Sequence, residues 1–340
     1  MSEVILTIDG IDPLELFGEG NAKLNLKFEF FTNSFLFMNK TVILVAGPTA
    51  VGKTAIAIQL AKWLNTCILS ADSRQCFKEL NIGVAKPSVE ELQQVKHYFI
   101  NSHSVEETVT AATYEQYALE VCDEVFINNE IIIAVGGTGL YIKAFLEGMD
   151  AIPAVDENIR HQLTALYNTN GIEWLQQQLQ QKDPLYASEG EMQNPQRMLR
   201  ALEVMEATGT SIVQYQKGKK KQRNFSVIKI GLDLPREELY NRINTRVDAM
   251  IEAGLMQEAA QLKHLQYLNA LQTVGYRELF DYFNGTTTLD KAIDKIKQNS
   301  RHYAKRQLTW FRRDEEMNWF QPSAINEIKA FIQQKIKSHT

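Results

Sequence analysis

The chain has 340 residues, 44% of them hydrophobic and 23% charged, with a formal net charge of −5. That length suits one large core, or a core carrying a smaller inserted unit, and the composition is that of a soluble globular protein. The acidic balance excludes a general nucleic-acid coat, and no apolar run reaches the roughly 18–20 residues that span a bilayer.

The apolar patches from Phe28 to Met38 have neither a basic leader nor a small-residue cleavage site, so no secretory signal is expected. Cys67, Cys76 and Cys122 are odd in number and far apart. They suit neither a disulfide framework nor a zinc site, and a reducing cytoplasm is the expected location. Residues 1–37 hold short apolar runs broken by Asp-Gly and Gly-Glu-Gly, and read as an extension without an assigned role.

From Thr41 to Ala46 the run TVILVA predicts a strand buried on both faces. The loop GPTAVGKT follows, and then AIAIQLAKWL, a packed helix. A second strand over Cys67–Ala71 ends at Asp72, and Tyr98–Ile100 is a weaker one. A helix over Thr113–Phe126 leads to a central strand, Ile131–Val135, which ends in Gly136-Gly137-Thr138. Strands alternating with helices imply a parallel sheet covered on both sides, an α/β fold of the P-loop type. Pro153 to about Thr210 is rich in Gln, Glu and Leu at helical spacing, Phe225–Leu232 returns to a strand, and helices run from Pro235 onward. The expected organisation is an extension (1–37), a first core part (38–150), an all-helical insertion (151–212), a second core part with a basic helical region (213–322), and a terminal helix (323–340).

Gly47-Pro48-Thr49-Ala50-Val51-Gly52-Lys53-Thr54 matches G-x-x-x-x-G-K-[ST] between a strand and a helix, the context that the motif requires. Its glycines let successive amides point at phosphate oxygens, and the helix N-terminus adds a favourable dipole. Lys53 supplies charge, and the Thr54 hydroxyl can hold Mg²⁺. The motif predicts a bound di- or triphosphate without saying which atom is attacked. The other parts of common nucleotide hydrolases are missing, with no apolar strand ending in Asp-Glu and no Asn-Lys-x-Asp. A small-molecule kinase stays open.

In parallel sheets ligands sit beyond the carboxyl ends of the strands. Asp72 there is a candidate base or metal ligand, or a cap of the next helix. Thr138 can donate to a ligand or cap its own helix. Two basic stretches stand out, Lys217, Lys219, Lys220, Lys221 and Arg223, and the eight Lys and Arg residues from Lys291 to Arg313. They suit a discrete polyanion site or simply solvated faces. His97, His103 and His302 lack metal-ligand spacing.

The order GPTAVGKT, ADSRQ, IGVAKP and GGTGLY resembles the tRNA dimethylallyltransferase family. So do Asn194–Arg200 (NPQRMLR), Thr273–Arg277 (TVGYR) and Lys305–Arg312 (KRQLTWFR), and the resemblance covers about Thr41 to Phe320. Val84 and Phe77 depart from it where Thr and Tyr are expected. The resemblance implies that the P-loop (Gly47, Thr49, Ala50, Val51, Gly52, Lys53, Thr54) grips the diphosphate of dimethylallyl diphosphate. Arg242 and Arg246, four apart on one predicted helix face, are expected to bring at least one side chain to it, or else to form an exposed salt-bridging face. The resemblance also implies Mg²⁺ at Thr54, with Asp72 and Thr138 catalytic.

By the same resemblance the anticodon stem-loop of tRNA is the second substrate. Its contacts are expected at Asp72, Ser73, Arg74, Gln75, Thr138, Arg160, Gln196, Arg197, Arg200, Gln272, Thr273, Gly275, Tyr276 and Arg277. Further along, Lys305, Arg306, Gln307, Thr309, Trp310 and Arg312 complete the set. Tyr276 and Trp310 are core aromatics in the alternative reading. The insertion is expected to clasp the stem. The protein is expected to act as a monomer, without an obligate protein partner or a membrane. A relative that prenylates free adenine nucleotides is the nearest alternative.

Overall fold

In the computed structural model, residues 40–218 and 220–339 are described. The extension over 1–37 and Lys219 lie outside them. Six parallel strands form one sheet in the order β3-β2-β4-β1-β5-β6. They are β1 (Thr41–Ala46), β2 (Ile68–Ala71), β3 (His97–Tyr98), β4 (Ile131–Gly136), β5 (Ser226–Leu232) and β6 (Asn318–Phe320). β1 lies between β4 and β5, pairing Val42 with Ile132 and Val227. Alternate residues of β1 enter opposite cores. Val42 and Leu44 pack toward α3 (Ala111–Val125) and α4 (Gly139–Glu147), whereas Ile43 and Val45 pack toward α1 (Lys53–Leu64). Burying each such side chain contributes about 1.5–3 kcal/mol, which explains an uninterrupted apolar run where a one-sided strand would alternate.

β6 departs from the expectation of helices throughout the second part. It is only three residues long (Asn-Trp-Phe) and has no periodicity of its own; it pairs with β5 through Gly231 opposite Trp319. A short helix, α2 (Val89–Gln94), precedes β3. The helices α5 (Glu157–Lys182), α6 (Pro184–Glu189), α7 (Pro195–Thr208) and α8 (Ile212–Tyr215) lie between α4 and β5. They bury a core of their own around Leu175, Leu179, Met198 and Leu202. α5 is broken at Gly171, whose φ is 77°. Asn194 caps α7 by accepting the Arg197 amide, and Pro195 opens its first turn, where an amide would be unpaired in any case.

After β5 come α9 (Arg236–Glu252), α10 (Leu255–Gln261), α11 (Tyr276–Phe283), α12 (Leu289–Phe311) and α13 (Ile325–His339). α9 and α12 close over the carboxyl rim of the sheet, where the P-loop, Asp72 and Thr138 stand. No described helix is long and apolar enough to cross a membrane.

Candidate active site

The P-loop turns through two left-handed residues, Ala50 (φ 63°) and Gly52 (φ 105°). Glycine takes that conformation freely, but for alanine it costs on the order of 1–3 kcal/mol, strain of the kind found at functional sites. The loop is then braced from outside. Gln307 of α12 accepts the Thr49 amide at 2.8 Å and donates to the Gly137 carbonyl at 2.9 Å, tying the loop to the end of β4. Lys53 folds across the loop, its Nζ donating to the Pro48 carbonyl at 2.8 Å. Burial lowers its pKa to about 8, against the pull of the Asp72 carboxylate and with a smaller push from Arg246.

Two chambers meet beside this loop. The first, about 450 Å³, is lined by Thr49, Ala50, Gly52, Lys53 and Thr54, with Asp72, Arg242 and Arg246. Four cationic side chains (Lys53, Lys86, Arg242, Arg246) face it against two carboxylates (Asp72, Glu91), an excess suited to an anion. The second, about 230 Å³, is of mixed character, with an apolar wall of Ile243, Val247, Met250, Leu255 and Ile296 beside Ser73, Arg74, Thr273 and Gly275. Asp72, Thr49, Ala50, Val84, Arg246 and Tyr303 line both, so the carboxylate stands at the throat between them.

Asp72 is oriented by its own turn, with Oδ1 accepting the Arg74 amide at 2.9 Å and the Gln75 amide at 3.3 Å. Gln75 donates onward to the Val84 and Ala85 carbonyls at 3.3 and 3.0 Å, holding the wall of the throat. Arg246 reaches the Thr49 hydroxyl at 3.3 Å, while Arg242 pairs with Glu238 at 2.9 Å one turn earlier. Of the two arginines, Arg246 is therefore the one at the throat.

Thr54 and Asp72 present a hydroxyl and a carboxylate to one chamber, and among the described residues no cluster of three His, Cys, Asp or Glu could hold a metal by itself. That donor set fits a cation such as Mg²⁺, which keeps most of its oxygen ligands from water and substrate phosphates.

Three expected site residues stand elsewhere. Thr138 lines neither chamber; its Oγ1 accepts the Ser73 amide at 3.0 Å and its hydroxyl donates to Ser73 Oγ at 3.3 Å. Tyr276 is 0% exposed, its hydroxyl donating to Glu258, so it is a core aromatic and not a stacking platform. Gln307 is 6% exposed with both ends of its amide engaged within the protein, and so braces the loop rather than meeting RNA. Gly47 and Val51 shape the loop from beneath, Val51 being fully buried.

Five of the other expected contacts line one surface groove, and the rest are spread around it and the second chamber. Arg197 faces Lys305, Arg306, Thr309 and Trp310 across a groove between the helical unit and α12, which also contains His302 and Arg313. Trp310 is 37% exposed, and Gln196, Gln272 and Arg277 are exposed as well. Arg160 and Arg200 both bind Glu203, at 3.0 and 3.3 Å, and Arg312 pairs with Asp233 at 2.6 Å.

Tyr303 had no mark in the sequence that set it apart. It lies one helical turn before Gln307 on the same side of α12, and that i, i+4 spacing was the available signal. Burial pushes its hydroxyl up to about 12, so it stays protonated as a donor. Glu258 was missed too; it accepts the Asn81, Ile82 and Gly83 amides at 3.2, 2.8 and 3.0 Å and so anchors the loop that ends in Val84.

Comparison with known proteins bears on this arrangement. Residues 75–314 match the family model described as IPP transferase. A tRNA dimethylallyltransferase of Cytophaga hutchinsonii is 48% identical over 301 residues, covering 88% of this chain and 99% of that protein. The tRNA isopentenylpyrophosphate transferase of Bacillus halodurans superposes with a TM-score of 0.65 at 38% identity, covering 88% of this chain and 98% of that one. A eukaryotic dimethylallyltransferase acting on tRNA superposes with a TM-score of 0.66 at 26% identity, over 80% of this chain and 69% of that one. The chain belongs to the IPP transferase family, that of the tRNA dimethylallyltransferases.

Proposed function

We propose that this chain transfers a dimethylallyl group from dimethylallyl diphosphate to the exocyclic amine of an adenosine beside the anticodon of tRNA. The observation that carries the reading is Asp72 at the throat between a cationic P-loop chamber and a second one with an apolar wall. The diphosphate belongs in the first chamber, held by the loop amides, Lys53 and Arg246. The adenine, drawn out of its loop, enters from the second, which Ser73, Arg74 and Thr273 border.

A bond forms between the exocyclic nitrogen and the allylic carbon as the carbon–oxygen bond to diphosphate breaks. The amine is a weak nucleophile because its lone pair is delocalised into the ring. Asp72 takes the proton that it sheds, a contribution of typically 10²–10⁴-fold. Negative charge grows on the departing diphosphate, where Lys53, Arg246 and the free loop amides stand close enough to stabilise it. Mg²⁺ at Thr54 would add charge neutralisation at those same oxygens. Thr138, bonded to both the amide and the hydroxyl of Ser73, is read as positioning that residue at the edge of the second chamber.

The helices α5–α8 and the outer face of α12 are read as the two sides of an RNA surface, with Arg197, Lys305, Arg306 and Trp310 across the groove. Mass spectrometry of unmodified tRNA incubated with the protein, dimethylallyl diphosphate and Mg²⁺ tests the proposal. A prenyl-sized gain on one adenosine of the anticodon loop is expected. Modification of AMP with tRNA left untouched would refute it.

A further inference from the structure

The chain crosses twice between the α/β layer and the helices α5–α8, and one carboxylate holds both crossings. Glu115 lies on α3 and is buried. Its Oε2 accepts the amide of Met149, on the outgoing crossing, at 3.2 Å. Its Oε1 accepts Lys221 Nζ at 3.0 Å and Arg223 Nη2 at 2.9 Å, both on the returning crossing. Arg223 Nη2 donates also to the Ala144 carbonyl at 2.8 Å, and the Lys221 amide to the Glu147 carbonyl at 2.8 Å. Lys220 adds an ion pair to Glu147 at 2.7 Å. The two crossings are thus fastened to each other and to α3 and α4 before the helical unit begins.

This is an uneconomical way merely to close a loop. Buried ion pairs contribute little net stability, because desolvation offsets most of their attraction, and well-packed apolar groups of similar volume often serve as well. Arg223 moreover keeps a buried Nε without a partner. What the pair does supply is direction, since a guanidinium and a carboxylate join in few geometries. Direction matters here because the helical unit is a lever. The first segment of α5, up to the break at Gly171, is about 20 Å long at about 1.5 Å per residue. A tilt of about 5° at its root moves its far end by nearly 2 Å, enough to break a hydrogen bond of ordinary length.

We propose that Glu115 is a positioning residue for the RNA substrate. It fixes the angle at which the helical unit leaves the sheet layer, and so where Arg197 stands relative to Lys305 and Arg306 across the groove. The inference rests on the reading of that groove as an RNA surface. Glu115 lines neither chamber at the throat, so it acts on RNA binding without touching the reacting groups.

The test uses the full chain with Glu115→Gln, which keeps the side-chain shape and removes the charge. The KM for an anticodon stem-loop RNA is expected to rise about tenfold, with kcat and the KM for dimethylallyl diphosphate within about twofold of wild type. Hydrogen exchange should show the Met149 and Lys221 amides losing protection while β1 and β4 keep theirs. Lys221→Met is the second variant. It leaves the Glu115–Arg223 pair in place, so it folds even where the first does not, and about a threefold rise in the same KM is expected. An RNA KM unchanged in both variants, unchanged exchange at Met149, or an equal rise in both substrate KM values would overturn the inference. If wild-type protein prenylates no RNA, the functional reading falls on that control, and the exchange measurement alone then decides whether Glu115 holds both crossings.

Discussion

On the proposed function, Lys53 is expected to make the grip on diphosphate dependent on pH in a window where few other groups titrate. Burial holds its pKa at about 8, with Asp72 pulling upward and Arg246 pushing down. The ammonium form binds the anion, so in the free protein the competent form dominates below about 8 and is lost as pH rises through that value. From about pH 7.5 to about pH 9.5 its fraction falls from about 0.76 to about 0.03, which weakens binding about 25-fold, or about 1.9 kcal/mol. The ligand does not blur this, because the last ionisation of a phosphate group lies near pKa ~6 and is complete by then. Nor do two neighbours of Asp72, since Tyr303 and Cys76 are each pushed up to about 12.

Titration calorimetry with dimethylallyl diphosphate, at fixed salt and Mg²⁺, measures the slope. Repeating it in buffers of different ionisation enthalpy at about pH 9 should show uptake of about 0.9 proton on binding. Lys53→Arg should flatten the profile, because a guanidinium keeps its proton throughout. A flat wild-type profile, or the same slope in Lys53→Arg, would refute the assignment.

Asp72→Asn keeps the turn that accepts the Arg74 and Gln75 amides but loses the base. Turnover should fall about 10²–10⁴-fold while RNA binding, read by gel shift, stays within about threefold; unchanged turnover would exclude Asp72 as the base. Gly136→Ala should be among the most damaging changes in the sheet, because its Cβ would lie 2.2 Å from the Ala71 carbonyl oxygen, a backbone atom of the paired strand β2. A loss of about 3 kcal/mol or more is expected in thermal or denaturant unfolding, and a near-native midpoint would show that the strands can part at that point.

What the sequence made legible was whatever has local chemistry. The β-branched run before Gly47, the glycine spacing of the loop and the glycines before Thr138 are legible because strand propensity and tight turns act over a few residues. Their meeting on one rim then follows from parallel topology. The side on which a helix residue faces is not local. Lys305, Arg306 and Gln307 are adjacent in sequence and chemically alike as hydrogen-bond donors, yet only Gln307 is turned inward, against Thr49 and Gly137. Tyr276 likewise sits in a motif that implies RNA contact, but packing beneath Gly83 sets its place, and Gly83 is nearly 200 residues earlier in the chain. Glu115 left no mark at all, since its partners come from two crossings that only the fold brings together.

The two sides of α12 carry a consequence for how this protein can vary. Tyr303 and Gln307 face the throat and the P-loop, while Lys305, Arg306, Thr309 and Trp310 face the groove, all within three turns of one helix. Each residue added to or removed from that stretch rotates everything beyond it by about 100°. A single deletion between Tyr303 and Gln307 would carry the brace of the loop out to solvent and set Leu308, which can neither accept the Thr49 amide nor donate to the Gly137 carbonyl, in its place. Between Tyr303 and Trp310 the helix can therefore change many of its letters, but not their number.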